Sequence, residues 1–288
     1  MKPFRVGEYE VWSVIEREGP LRPPAVMFPT CDRQRAAELL RIMPPTVWSP
    51  TTGILFNTYQ SFVVRSVHGT VVIDTCVGDN KARPPHFNYP KKSWLDGFSS
   101  SRLTLDGVDL VINTHLHVDH CGWNTRLENA RWVPTFPRAR YFMVATEYDH
   151  WRDQTAQGFE LPGRIWTDSA LPLVTAGRAE LVPMDAQITQ DIRLLPAPGH
   201  TPGHVCVQLR SQGEQAIFVG DLMHHPIQCW EPEWSSCFCV DPNVAAVTRR
   251  RFFEEFADTN AVIVPEHFPY PTAGRIKTSG RAFAWEFT

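Results

Sequence analysis

The seven residues Thr114-His115-Leu116-His117-Val118-Asp119-His120 constrain this chain more than any others. Four side chains able to hold a metal fall within six positions, directly after the run Asp109–Thr114 (DLVINT), whose apolar residues read as a buried strand. Imidazole and carboxylate are nitrogen and oxygen donors that suit zinc. The alternating His115 and His117 can converge on one ion while Asp119 and His120 turn toward another. A single histidine at a strand end is ordinarily a surface residue, but HxHxDH is too crowded for that explanation.

The rest of the chain supplies what this cluster lacks. His200 lies in APGHTPGH, where Pro198, Gly199, Pro202 and Gly203 specify a tight turn after the strand pattern DIRLLPA. Asp221 follows the apolar run AIFVG, and His267 comes two residues after AVIVP. Three strand ends thus each present one ligand type. His204 reads as a residue that closes the turn by hydrogen bonding, and His225 need not face the site. His68, His86 and His150 sit in turn, loop and helix contexts where surface placement is the default.

At 288 residues, 43% hydrophobic and 20% charged, the chain can bury a sizeable core. A net charge of −3 gives no reason to expect nucleic acid or an anionic membrane as partner. Arg249-Arg250-Arg251 reads as the solvated face of a helix. The N-terminus lacks the apolar core of a signal peptide and no run of 18 apolar residues occurs, so the expectation is a cytoplasmic protein acting on a small molecule. The seven cysteines show no CxxC pair and no framework spacing, and Cys237 and Cys239 alone make a weak metal signal.

Strand patterns occupy 8–16 and 61–75, the second a hairpin turning at His68-Gly69. Between them, 31–43 has helical spacing with Asp32 as cap, set in Pro-rich flanks, and the stretch at about 18–52 reads as an arm that either covers a pocket or serves a dimer partner. A Pro- and aromatic-rich loop runs from Arg83 to Trp94. Further strands are expected at 139–144, 178–183, 190–196, 204–210, 215–220 and 261–265. One helix is expected after Thr146 as cap, and another from Pro242 to about Asp258 with Asp241 as cap. No flexible linker or internal repeat appears, and 1–288 reads as one domain.

HLHVDH, then His200 in GHTPGH, Asp221 in GD and finally His267 together resemble the pattern of the metallo-β-lactamase superfamily, from about residue 61 to about 275. The resemblance implies an α+β fold, the four-layer αβ/βα sandwich, with a dinuclear centre along one edge. It implies that His115, His117 and His200 hold one metal, that Asp119, His120 and His267 hold the other, and that Asp221 bridges them. Asp74, at the end of VVIDT, matches a supporting aspartate. Two zinc ions per chain are the expected cofactors, and manganese, cobalt or iron suit the same donors.

Within the superfamily, Asp221 stands where antibiotic-hydrolysing zinc enzymes usually carry a cysteine, and His117 departs from the HxExD of flavodiiron members. The chain is similar to the acyl-homoserine lactonases and methyl parathion hydrolase-like enzymes. Those lactonases place a tyrosine three residues after the bridging aspartate, where this chain has His224. The resemblance implies hydrolysis of a small apolar ester or lactone by a metal-bridging hydroxide, with Asp119 as proton carrier and His224 as a candidate leaving-group or oxyanion contact. Organophosphate, phosphodiester or thioester hydrolysis, iron-dependent redox chemistry and non-catalytic metal binding are the alternatives. Phe87, Trp94, Trp123, Trp132, Phe136, Trp230, Trp234, Phe268 and Tyr270 are candidates for lining an apolar pocket.

Overall fold

The structure is a computed structural model that describes residues 1–83, 87, 93–101, 103–159 and 164–288. His86 and most of the loop between Arg83 and Trp94 lie outside the described residues. The chain divides into two compact units: one comprises residues 1–2, 18–58 and 187–288, the other 3–17 and 59–186. They are called here the C-terminal and N-terminal units.

The strands of the first sheet are β1 (Phe4–Val6), β2 (Tyr9–Arg22), β3 (Leu55–Ser66), β4 (Gly69–Ile73), β5 (Leu110–Ile112), β8 (Arg140–Val144) and β9 (Ala179–Val182), in the order β1-β2-β3-β4-β5-β8-β9. The small hairpin β6 (Thr125–Glu128) and β7 (Arg131–Pro134) stands apart from it. β4, β5, β8 and β9 run parallel. Parallel strands are buried on both faces, which explains the unbroken apolar runs VVI, LVI and YFMV. Their carboxyl ends face the same way, so Asp74 after β4 and Thr114-His115 after β5 emerge side by side. The two-residue turn between β3 and β4 sits on Val67-His68, one position earlier than expected, with Ser66 paired to Gly69. The core of the N-terminal unit is aromatic: Trp94 stacks on Trp123 and Phe98, and Phe98 packs on Phe136.

The C-terminal unit holds a six-stranded sheet of β10 (Ile192–Pro196), β11 (Val205–Ser211), β12 (Glu214–Gly220), β13 (Val262–Pro265), β14 (Gly274–Ser279) and β15 (Ala282–Phe287), in that order. β12 and β13 are its parallel pair, and the register shifts between Phe218 and Gly220, immediately before Asp221. Such a bulge re-aims the side chain that follows it. The helix Pro242–Phe256 begins at Asp241, whose side chain accepts from the amides of Asn243 and Val244, as expected. It buries Ala245, Phe252, Phe253 and Phe256, the three phenylalanines against the sheet core.

Four expectations need correction. β2 continues to Arg22 rather than ending at 16, because its later residues keep extended pairing through the polar stretch 17–22. The arm is part of the core rather than a covering segment: the helix expected over 31–43 forms at Arg33–Ile42 with Asp32 as its cap, as expected, accepting from the Arg35 amide at 2.7 Å, but together with the helix Pro24–Met27 it buries Met27, Leu39 and Leu40 in a cluster with Ile227 and Trp234. Thr146 caps nothing, since the helix Ala145–Ala156 starts directly from β8 with Val144 at the cap position. Arg249 is buried rather than solvated, and its guanidinium donates to the carbonyls of Pro232 (2.8 Å) and Leu222 (3.2 Å) and to Ser235 Oγ (3.0 Å).

Candidate metal centre

In the N-terminal unit the ligand-bearing loop hangs from β5 and is tied down within a few residues. Asp74, held at φ 53° just past β4, accepts from the Thr114 amide at 2.8 Å and the Thr114 hydroxyl at 2.7 Å. Its Oδ2 also lies 2.9 Å from His120 Nδ1. A left-handed aspartate backbone is uncommon, and here it aims one carboxylate at both ends of the ligand loop. The His120 carbonyl accepts from the Thr75 amide at 2.7 Å and from Asn113 Nδ2 at 2.9 Å, and Asn124 Nδ2 donates to Asn113 Oδ1 at 2.8 Å. His115 Nδ1 sits 3.1 Å from Thr114 Oγ1. The His115 ring lies 4.0 Å from that of His120 and 4.7 Å from that of His117, centroid to centroid. Asp119 Oδ1 is 3.9 Å from His120 Nε2, and its side chain keeps 13% of its surface exposed while that of His120 keeps none.

In the C-terminal unit the donors come from three separate strand ends. The turn that carries His200 packs onto the start of the helix Pro242–Phe256: a Cβ added at Gly199 (φ 126°) would lie 2.2 Å from the Ala245 backbone nitrogen. Only glycine fits there. Asp241 and Val240 donate their amides to the carbonyls of Gly199 (2.9 Å) and His200 (2.8 Å). His204 closes the same turn, its Nδ1 3.0 Å from the Ala197 carbonyl and its Nε2 accepting from the Asp221 amide at 3.0 Å. Both its ring nitrogens are thereby committed, and it positions Asp221 rather than binding metal.

Asp221 is the hub of this unit. Its Oδ2 lies 2.9 Å from His200 Nε2 and 3.2 Å from His224 Nε2, and its Oδ1 lies 2.8 Å from His267 Nε2. Asp221, His224 and His267 meet the spacing of a metal-binding trio. His224 stacks on His267 with centroids 5.3 Å apart, and its Nδ1 has no hydrogen-bond partner among the described residues. His225 turns away: its Nε2 faces the Val47 carbonyl at 2.9 Å and its Nδ1 accepts from the Ile227 amide.

The electrostatics follow from burial. Burial pushes His200 down, but the Asp221 carboxylate and Cys239 together outweigh it and raise the imidazole to about 10. At His224 burial prevails over Asp221, and the pKa falls to about 3. His224 is therefore neutral at physiological pH, the state in which an imidazole can bind a metal or donate and accept in one ring.

Three supporting groups were not foreseen. Cys239 Sγ lies 3.5 Å from His200 Nδ1, and the thiol is held below its usual range chiefly by His200, against its burial. The fully buried Glu147 accepts from the Leu116 amide at 3.0 Å and from Trp151 Nε1 at 2.6 Å, and the Trp151 ring stands edge-on to His117 at 5.4 Å. The Thr58 carbonyl receives His267 Nδ1 at 3.0 Å. A first-turn acid after a strand is the faint sequence signal for Glu147; a backbone carbonyl leaves none. Several aromatic candidates turn out to be core. Trp94, Trp123, Phe136 and Phe268 are nearly inaccessible, while Tyr270 is 55% exposed.

A family model described as the metallo-beta-lactamase superfamily matches residues 56–267, the span that holds all of the donors described above. The chain belongs to that superfamily. Its α+β architecture of helix-flanked sheets is the superfamily's fold. Among solved structures it is similar to a hydrolase of the β-lactamase superfamily (22% identity, TM-score 0.83, covering 99% of this chain and 96% of that one). A dizinc quorum-quenching lactonase in complex with the product N-hexanoyl-L-homoserine is 21% identical with TM-score 0.81, covering 100% and 97%. A quorum-quenching N-acyl homoserine lactone lactonase is 15% identical with TM-score 0.62, covering 94% and 99%. Clustered His and Asp ligands on this superfamily's fold make the chain a metal-dependent hydrolase. No helix among the described residues is long and apolar enough to cross a membrane.

Proposed function

We propose that this enzyme hydrolyses a small apolar ester or lactone and that the ligand clusters of its two units act together on two divalent metals, zinc foremost. In this reading His115, His117 and His200 hold one metal, Asp119, His120 and His267 hold the other, and Asp221 serves both. One observation carries it. His115, His120, His200 and His267 each have Nδ1 against a partner from their own unit, Thr114 Oγ1, Asp74, Cys239 Sγ and the Thr58 carbonyl, at 2.9–3.5 Å. An imidazole fixed through Nδ1 presents Nε2, and this second layer of partners is the usual setting of metal-bound histidine.

When bound, two such metals supply Lewis acidity that acidifies a water toward neutral pH and polarises the scissile oxygen. The chain's own residues do the rest. Asp119, the one partly exposed carboxylate of its cluster, accepts the proton of the attacking water and returns it to the leaving group. His224, neutral and beside Asp221, offers a hydrogen bond to the leaving group or developing oxyanion.

The dizinc lactonase and the other quorum-quenching relatives support a lactone or ester substrate. His224, which stands where the resemblance to acyl-homoserine lactonases implies a tyrosine, favours as a second reading an organophosphate substrate over acyl-homoserine lactones. A panel of lactones, aryl esters and aryl phosphotriesters separates the two. Turnover abolished by chelator and by Asp119→Asn is the expected result, with esters or lactones ahead; unchanged turnover after metal removal overturns the proposal.

A further inference from the structure

Behind three of the four buttressed imidazoles stands an oxygen: the Thr114 hydroxyl for His115, the Asp74 carboxylate for His120 and the Thr58 carbonyl for His267. Behind His200 stands a sulfur. Cys239 Sγ lies 3.5 Å from His200 Nδ1, and Ser236 Oγ lies 3.5 Å from the same sulfur. The segment that carries the thiol is clamped to the ligand turn, with Val240 donating to the His200 carbonyl at 2.8 Å and Asp241 to the Gly199 carbonyl at 2.9 Å. The Cys239 amide in turn donates to the Ser236 carbonyl at 3.2 Å. The sulfur is therefore fixed in place by backbone on both sides.

We infer that Cys239 is a positioning residue: its sulfur sets the tautomer and direction of His200 and so governs the affinity of one of the two metals, the one His200 shares. This rests on the metal assignment proposed above. It accounts for the Cys237-x-Cys239 pair, which serves no disulfide, since both cysteines are free. Cys237 is exposed and only Cys239 reaches the ligand. A soft, weakly accepting sulfur holds an imidazole less firmly than a carboxylate does, so the His200 metal is expected to be the looser of the pair.

The test is zinc competition against a chromophoric chelator on the full chain, with Cys239→Ala, Cys239→Ser and Asp74→Ala compared with the parent protein. The expected result is two zinc ions in the parent and a loss of roughly tenfold or more in the affinity of one ion only in Cys239→Ala. Cys239→Ser, which keeps a hydrogen-bonding atom, recovers most of that loss. Asp74→Ala, which removes the brace behind both Thr114-His115 and His120, weakens both ions. Thermal melting of each metal-stripped variant beside the stripped parent checks that the fold is retained. Equal weakening of both ions in Cys239→Ala, or none, overturns the role of Cys239 alone. A parent that binds no zinc overturns the metal assignment itself, and this inference with it.

Discussion

The two units carry comparable sets of ligands but assemble them by opposite means. In the N-terminal unit four donors lie within six residues, and one network of Asp74, Thr75, Asn113 and Asn124 ties down both ends of the loop that carries them. In the C-terminal unit each donor arrives from its own strand end, and each has its own support: Cys239 and the helix start for His200, His204 for Asp221, Thr58 for His267. A clustered motif concentrates the consequences of any change in one shared buttress. A distributed one confines each change to one ligand, except at the hub where the imidazoles converge.

That hub is where the largest effect is expected. Asp221→Asn removes the charge faced by three imidazoles within 3.2 Å. Its kcat/KM on an aryl ester should fall by about a thousandfold or more, on the order of 4 kcal/mol in the barrier, with metal content falling as well. Asp74→Ala tests the shared buttress. It strands the Thr114 amide and His120 Nδ1 together, and should cost roughly 2–4 kcal/mol in denaturant stability, with metal affinity lowered about 10- to 100-fold. If Asp74→Ala is milder than loss of a single C-terminal support, the contrast between the units is wrong.

Gly199→Ala probes the distributed side without touching a ligand. The added Cβ meets the Ala245 backbone, and φ 126° is closed to an L side chain, so a loss of about 2–4 kcal/mol is expected in urea unfolding. Restored wild-type stability would mean the turn is not seated on the helix as described. The smallest effect concerns His225, which ties the segment after Asp221 to the Val47 carbonyl. Burial pushes its pKa down to about 4, against that hydrogen bond, so it folds neutral. The unfolded chain takes up the proton near pH 6.5. Between pH 6.5 and 4 the unfolded state thus binds more protons, and stability falls as pH falls, by about 1.4 kcal/mol at pH 5.5. His225→Phe should flatten that window in paired urea titrations at pH 7 and 5.5.

The same contrast explains what could be read from the sequence. HLHVDH is legible because its donors are contiguous, and His200, Asp221 and His267 because each follows a recognisable apolar strand. The layered sandwich was implied only through the family and the strand order not at all, since parallel pairing of β4, β5 and β8 joins segments far apart in the chain. The hairpin of β14 and β15 went unread although RIKTS and AFAWEF flank a two-residue turn at Gly280-Arg281, because a polar, charge-bearing strand lacks a clear apolar alternation. Arg249 looked solvated because its burial depends on carbonyls from Pro232 and Leu222, groups that no side-chain pattern encodes. For the same reason the Thr58 carbonyl behind His267 was invisible, whereas Asp74, a carboxylate at the end of an apolar run, was implied by the family resemblance.

Metal content measured against turnover tests the dinuclear hydrolase most directly. The protein is stripped with chelator and zinc is returned stepwise while aryl-ester or lactone hydrolysis is followed. The expected result is negligible turnover in the stripped protein and full recovery at two equivalents per chain. Full turnover in the stripped protein, or a plateau reached with no zinc bound, would contradict it.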